Sequence, residues 1–114
     1  MSERWIAQMR KGTVELCVLA VLEDSEGYGY GIVKDLQKIE ALAFTESTVY
    51  PVLARLTKDR FLKVRVVDSP DGPRRRYYAL TVAGRSRLAQ MRVYWEALNE
   101  EMGRLLARPG KGSR

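Results

Sequence analysis

Three consecutive arginines, Arg74, Arg75 and Arg76, follow the turn-forming string Ser69-Pro70-Asp71-Gly72-Pro73. Guanidiniums side by side near a hairpin tip repel one another unless a polyanion lies close. Their planar forks suit phosphate oxygens and narrow minor grooves. A second polar set, Ser47, Thr48 and Tyr50, opens a segment that continues to Arg55 and Lys58. Short hydroxyl side chains at a helix start let the backbone approach base edges, with Arg55 or Lys58 reaching a phosphate further along. Tyr30 and Lys34 begin another helical stretch, a position from which a backbone phosphate can be held. The chemistry offered is hydrogen bonding and ion pairing to a polyanion, most of it setting position rather than sequence. Ser47 and Thr48 also suit plain helix capping, and Tyr50 suits core packing.

Covalent chemistry has little to draw on. The chain has no histidine, which removes His-based triads, the usual zinc sites and the commonest general base. Its one cysteine, Cys17, lies in the apolar run Leu16-Cys17-Val18-Leu19 and reads as a small hydrophobe. The string Gly27-Tyr28-Gly29-Tyr30-Gly31 invites a phosphate-loop reading, but a helix precedes it and the loop's lysine and hydroxyl are missing. The plainer reading is a tight connection where backbones come close. No catalytic residue, metal or cofactor is expected, and the chain does not read as an enzyme.

Charge is distributed unevenly. Residues 1–53 hold five basic and eight acidic side chains, whereas residues 54–78 hold eight basic and three acidic ones. Residues 79–114 add seven basic and three acidic, within a formal net charge of +6. Positive charge gathered into one structural unit suits nucleic acid, although a basic face can also be merely solvated.

The elements that must position these groups follow from periodicity. Trp5, Ile6 and Met9 share a face of a short helix that Lys11-Gly12 interrupts. Thr13 then caps a helix to Leu22 that is apolar nearly all round, and so is placed at the domain centre. Tyr30–Glu40 is expected as a helix burying Ile32, Val33, Leu36 and Ile39. With Ser47 as N-cap, the next helix runs to about Arg60 and buries Val49, Leu53 and Leu56; Pro51 falls within about a turn of its start. Leu62–Val67 alternates as a strand with Leu62, Val64 and Val66 on one face, and Arg74–Leu80 returns with Tyr78 and Leu80 inward. Thr81 caps a last helix to about Ala107, on which Leu88, Met91, Trp95, Leu98, Met102 and Leu105 are spaced as a heptad seam. Helices followed by a basic-tipped hairpin is the order of a winged helix-turn-helix. The fold class is α+β, mainly α, with a long C-terminal dimerisation helix.

Three blocks carry a family resemblance: Gly27-Tyr28-Gly29-Tyr30-Gly31-Ile32, Ser47-Thr48-Val49-Tyr50-Pro51-Val52-Leu53-Ala54-Arg55-Leu56 and Gly72-Pro73-Arg74-Arg75-Arg76-Tyr77-Tyr78-Ala79-Leu80-Thr81-Val82-Ala83-Gly84. In that order and spacing, within residues 12–88, the chain resembles PadR transcription regulators, in particular the smaller subclass with a single C-terminal helix. The resemblance implies a homodimeric repressor of double-stranded DNA, with one helix in the major groove and a wing on the flanking backbone or minor groove. It also implies response to small aromatic or multidrug-type ligands, for which a tryptophan placed like Trp95 lines a pore at the dimer interface. One departure stands out: the family commonly has glycine in the helix-to-strand corner, where this chain has Arg60-Phe61.

The expected organisation is therefore residues 1–80 as the DNA-binding unit, 81–107 as the dimerisation helix and 108–114 as a flexible tail. Some 26 residues at about 1.5 Å each make that helix roughly 39 Å long, more than a small domain is wide. Its distal stripe needs a partner, and Leu88, Met91, Trp95, Leu98, Met102 and Leu105 with Trp5, Ile6 and Met9 are the expected dimer contacts. Trp95, Met91 and Trp5 are the candidate effector contacts, Trp95 being equally suited to packing as an interface anchor. No apolar run approaches the roughly 20 residues of a membrane span, and Met1-Ser2-Glu3-Arg4 does not start a signal peptide. A cytoplasmic protein with no membrane partner is expected. The rival readings are a winged-helix module that binds protein alone and an architectural DNA binder without specificity.

Overall fold

A computed structural model describes residues 3–109, and the expected tail beyond Pro109 lies outside the described residues. Helix α1 (Arg4–Lys11) buries no residue and gives way at Gly12 to α2 (Val14–Val21). Thr13 does not cap α2 through its side chain; its hydroxyl donates back to the Arg10 carbonyl at 2.8 Å and stitches the two helices end to end. Val14, Val18, Leu19 and Leu22 enter the core, but Leu16, Cys17 and Val21 are only partly covered and Ala20 is exposed. The central helix therefore has more apolar surface than its own domain uses.

The glycine-rich string is a two-residue edge strand, β1 (Gly27–Tyr28), that runs directly into α3 (Gly29–Gln37). The close approach read from its glycines is real at two positions. A Cβ on Gly27 would stand 2.9 Å from Leu22 and 3.1 Å from Ile32, and one on Gly29 would stand 3.2 Å from Tyr50. Helix α3 stops three residues earlier than expected. Ile39 begins a single 3-10 turn over Glu40–Leu42 and is exposed, not buried, because the helical phase that pointed it inward has ended. Phe44 instead enters the core that Leu36 and Val49 share.

Helix α4 (Glu46–Lys58) buries Val49, Leu53 and Leu56. Leaving it, Arg60 adopts φ 66°, the left-handed conformation that glycine takes most cheaply, and Phe61 N–H donates back to the Leu56 carbonyl at 2.9 Å. The corner keeps its turn with an arginine in glycine's place. Strands β2 (Leu62–Ser69) and β3 (Gly72–Leu80) form a hairpin joined by Pro70-Asp71, and β3 lies centrally in the antiparallel order β1-β3-β2. The register slips between Val67 and Ser69, opposite Pro73, where a residue without an N–H does least harm to the ladder. Leu62, Tyr78 and Leu80 are buried and Val64 is half-buried. Val66, expected to face in, is 45% exposed, because the hairpin has by then run past the body of the domain.

The last helix, α5 (Val82–Ala107), is capped by Thr81, whose hydroxyl accepts from Gly84 N–H at 2.9 Å. That hydroxyl also donates to the Arg60 carbonyl at 2.7 Å, while Thr81 N–H donates to the Phe61 carbonyl at 3.1 Å. One residue thus starts α5 and locks the corner after α4. The assembly is a winged helix-turn-helix with a long C-terminal helix projecting from it, 66 × 35 × 21 Å in extent.

Candidate nucleic-acid interface

The N-cap of α4 is Thr45, not Ser47, so the helix begins two residues before the expected start. Thr45 Oγ1 lies 2.9 Å from Ser47 Oγ and 3.3 Å from Thr48 Oγ1, a hydroxyl cluster at the positive end of the helix. Pro51 accordingly lies in the second turn rather than the first, and its missing N–H leaves the Ser47 carbonyl without its i+4 donor. Ser47, Pro51, Ala54 and Lys58 follow one another at helical spacing and are all exposed. Tyr50 and Arg55 flank that stripe, and Thr48 is half-buried. The face presented by α4 is therefore narrow, with one hydroxyl, two small apolar groups and a cation. Pro51 and Ala54 were missed in the sequence because neither carries a polar atom.

On one side this face joins a bed of tyrosines. Tyr50 packs against Gly29, and burial, with the Glu46 charge second, raises its hydroxyl above the usual phenol range. Tyr28 and Tyr30 stand 6.4 Å apart and Tyr28 and Tyr77 5.7 Å apart, centre to centre. Cations lie over these rings: Lys34 over Tyr30 at 5.7 Å, Arg75 over Tyr28 at 4.9 Å and Arg65 over Tyr77 at 5.1 Å. Arg65 is also bonded to Glu26, whose carboxyl is held below its usual range chiefly by that hydrogen bond. Arg74 pairs with Asp68 across the hairpin at 3.0 Å, whereas Arg76 has no ion pair among the described residues. The start of α3, the flank of α4 and the hairpin thus form one continuous surface of hydroxyls, rings and cations. Tyr28 and Tyr77, which join them, were not singled out in the sequence.

Arg55 and Lys58, expected as interchangeable phosphate contacts, have different surroundings. Lys58 is exposed and has no ion pair among the described residues. Arg55 is bonded to Glu15 of α2 at 3.0 Å and lies 3.9 Å from Asp59. Arg87 of α5 binds the other Glu15 oxygen at 2.8 Å and stacks on Phe61 at 4.7 Å. Burial is the largest single influence on Glu15 and pushes its carboxyl up. The hydrogen bonds and charges of Arg55 and Arg87 together outweigh it and leave the group below its usual range. Glu15 thus joins α2, α4 and α5 through one side chain that is only 14% exposed.

On the far side of α2 an open groove of about 830 Å³ runs between α1, α2 and α5. Met91, Trp95, Leu98 and Met102 line it as the heptad spacing predicts, joined by Tyr94, Leu16 and Met9 and by the charged pair Glu15 and Arg87. Leu88 is a correction: at 2% exposure it belongs to the domain's own core, so the unpaired stripe begins at Met91. Leu106 rather than Leu105 lines the distal end, as a 3.6-residue helix drifts from a strict 3.5-residue seam. Trp5 is 62% and Trp95 42% exposed; Met9 is exposed and Ile6 half-buried. Cys17 is half-buried and burial pushes its thiol up, away from the reactive thiolate. Among the described residues no group of three or more His, Cys, Asp or Glu side chains is placed to hold a metal ion, and no helix is long and apolar enough to cross a membrane.

The sequence pattern of the transcriptional regulator PadR-like family matches residues 18–90. A PadR-like transcriptional regulator from Bacillus cereus is 30% identical, with 90% of this chain and 99% of that one aligned at a TM-score of 0.78. A PadR family transcriptional regulator from Eggerthella lenta is 28% identical over 92% of this chain and 91% of that one, with a TM-score of 0.82. Bacillus subtilis PadR, whose structure was solved in complex with operator DNA, is 26% identical over 69% of this chain and 47% of that one, with a TM-score of 0.64.

Proposed function

As the chain belongs to the PadR-like family of transcriptional regulators, we propose that it is a sequence-specific repressor that binds a near-palindromic operator as a homodimer. The observation that carries this reading is the continuity of the basic face. Ser47 opens α4 outward, Tyr50 packs on the glycine that starts α3, and Tyr28 bridges that helix to Arg75 of the hairpin. In this reading α4 enters the major groove with Ser47, Thr48 and Tyr50 leading, and Lys58 follows along the backbone. Tyr30 and Lys34 hold an adjacent phosphate. Arg74, Arg75 and Arg76 take the flanking backbone or minor groove. Residues 1–80 form the DNA-binding unit, residues 81–107 serve dimerisation and the protein works in the cytoplasm. Bacillus subtilis PadR, caught on operator DNA, lends support through the shared fold.

Dimerisation is argued from the groove. Met91, Trp95, Leu98 and Met102 form an apolar stripe on a helix that outruns its domain, beside an α1 with no buried residue. A second copy laying its own α1 and α5 there would cover both, and burial at about 1.5–3 kcal/mol for each large side chain is ample for association. A small aromatic or hydrophobic effector held by Trp95 and Met91, with the exposed Trp5 as a further contact, would shift the spacing of the two DNA-binding units if it favoured one arrangement over the other.

The test is a salt titration of binding to the duplex that the protein protects in footprints of its own promoter region. Replacing both Arg75 and Arg76 with alanine is expected to weaken binding to every sequence and to flatten the log–log salt slope by about 0.9 for each lost phosphate contact. Equal affinity and slope in variant and parent would discard the wing as a DNA contact. A parent whose affinity ignores salt would remove the DNA reading in favour of a protein-binding module.

A further inference from the structure

Arg55 occupies the face of α4 that the DNA reading turns toward the duplex, four residues after Pro51 and three before Lys58. Yet its guanidinium is turned back across the domain onto the Glu15 carboxylate at 3.0 Å, with Asp59 alongside. A phosphate would have to compete with that carboxylate for the same N–H groups. Glu15 is in turn shared with Arg87 at 2.8 Å, and both Glu15 and Arg87 border the groove between α1, α2 and α5. We infer that Glu15 is a positioning residue for DNA binding: it withholds Arg55 from the phosphate backbone, and Arg87 on α5 sets how firmly it does so.

This rests on the DNA-binding reading and adds to it a site of control. Each guanidinium holds one oxygen of the same carboxylate, so either forms a full two-bond fork only by drawing the carboxylate away from the other. When α5 moves so that Arg87 lets go, Glu15 closes wholly on Arg55. When Arg87 takes the carboxylate for itself, Arg55 is released to the backbone and one more phosphate is engaged. The groove side of the domain and the DNA side thereby communicate through three side chains, and α4 need not shift. The network joins positions 15, 55 and 87, too far apart in the chain for helical spacing to show it.

The experiment compares salt titrations of variants on one fixed labelled duplex, the tightest recovered from a random-sequence pool by the parent protein. Glu15→Gln is expected to tighten binding about fivefold at low salt and to steepen the log–log slope by about 0.9, one added phosphate contact. Arg55→Gln alone is expected to leave slope and affinity unchanged, and Glu15→Gln with Arg55→Gln to return to the parental slope. Glu23→Gln removes an equal charge from the pair with Arg92 and should leave the slope alone. A Glu15→Gln slope equal to the parent's, or an Arg55→Gln slope shallower by about 0.9, overturns the proposal. Should Glu15→Gln fail to fold by thermal melt, Arg55→Gln decides by itself. A parent protein with no salt-dependent affinity sinks the DNA reading and this proposal together, whereas a steep parental slope untouched by Glu15→Gln sinks only the proposal.

Discussion

The two halves of α5 share one helical repeat and meet opposite surroundings. Its first three turns are committed to the domain: Thr81 caps them, Gly84 is pressed against the Phe61 backbone and Leu88 is buried with Tyr78 and Leu80. Beyond Met91 the apolar stripe continues through Trp95, Leu98 and Met102, yet every residue from Arg92 to Ala107 is exposed. Periodicity reports that a face is apolar and leaves open what covers it. The first half should therefore govern the stability of a single chain, and the second half should govern association. Substitutions in each half ought to be told apart by whether their effect depends on protein concentration.

Gly84→Ala is expected to have the largest effect. A Cβ there would stand 2.0 Å from the Phe61 carbonyl oxygen, which already accepts the Thr81 N–H. Backbone must move against backbone, so a loss above about 4 kcal/mol is expected, enough to leave little folded protein in a thermal melt. A variant that melts within a few degrees of the parent would show that the corner gives way easily. Leu88→Ala comes next. It empties part of a core position and should cost about 2–5 kcal/mol at any protein concentration. A melting loss that vanished on concentrating the sample would instead return Leu88 to the dimer seam.

Trp95→Asp tests the other half. Placing a carboxylate mid-stripe should turn the proposed dimer into monomer in sedimentation equilibrium and make the melting temperature independent of concentration, at a cost of about 2 kcal/mol or more to association. The circular dichroism of residues folded within one chain should stay near the parent's. A Trp95→Asp dimer would break the comparison, by ruling out the distal half of α5 as the seam.

The same distinction explains what the sequence made legible. Turn residues, the Thr81 cap, the alternation of Leu62 and Val64 and the period of α5 are local signals, and each appears in the fold close to where it was read. What escaped was set by distance along the chain or by the limit of the body. Ile39 fell on the right phase of a helix that had already stopped. Val66 fell on the right face of a hairpin that had left the core. Ser47 and Thr45, two residues apart, carry the same capping hydroxyl, and only the fold shows that Thr45 is the N-cap. Glu15 gave no signal at all, since its partners lie 40 and 72 residues away and only the fold brings them together.

Arg60 is the smallest test and lies at the root of the comparison, because its corner delivers the chain to Phe61 and thence to Gly84. At φ 66° an arginine bears about 1–2 kcal/mol of backbone cost that glycine escapes. Arg60→Gly also loosens the unfolded chain, which offsets about 0.5–1 kcal/mol of that relief. Its carbonyl would still accept the Thr81 hydroxyl, so the lock on α5 stays. The net expectation is a gain of about 0.5–1 kcal/mol, read as a rise of a few degrees in melting temperature that is equal at low and high protein concentration. If the variant melted lower, the Arg60 side chain would be supplying contacts that outweigh its backbone strain. If the rise appeared only at high concentration, the corner would be acting through the dimer, and the division of α5 into a half for folding and a half for association would be drawn in the wrong place.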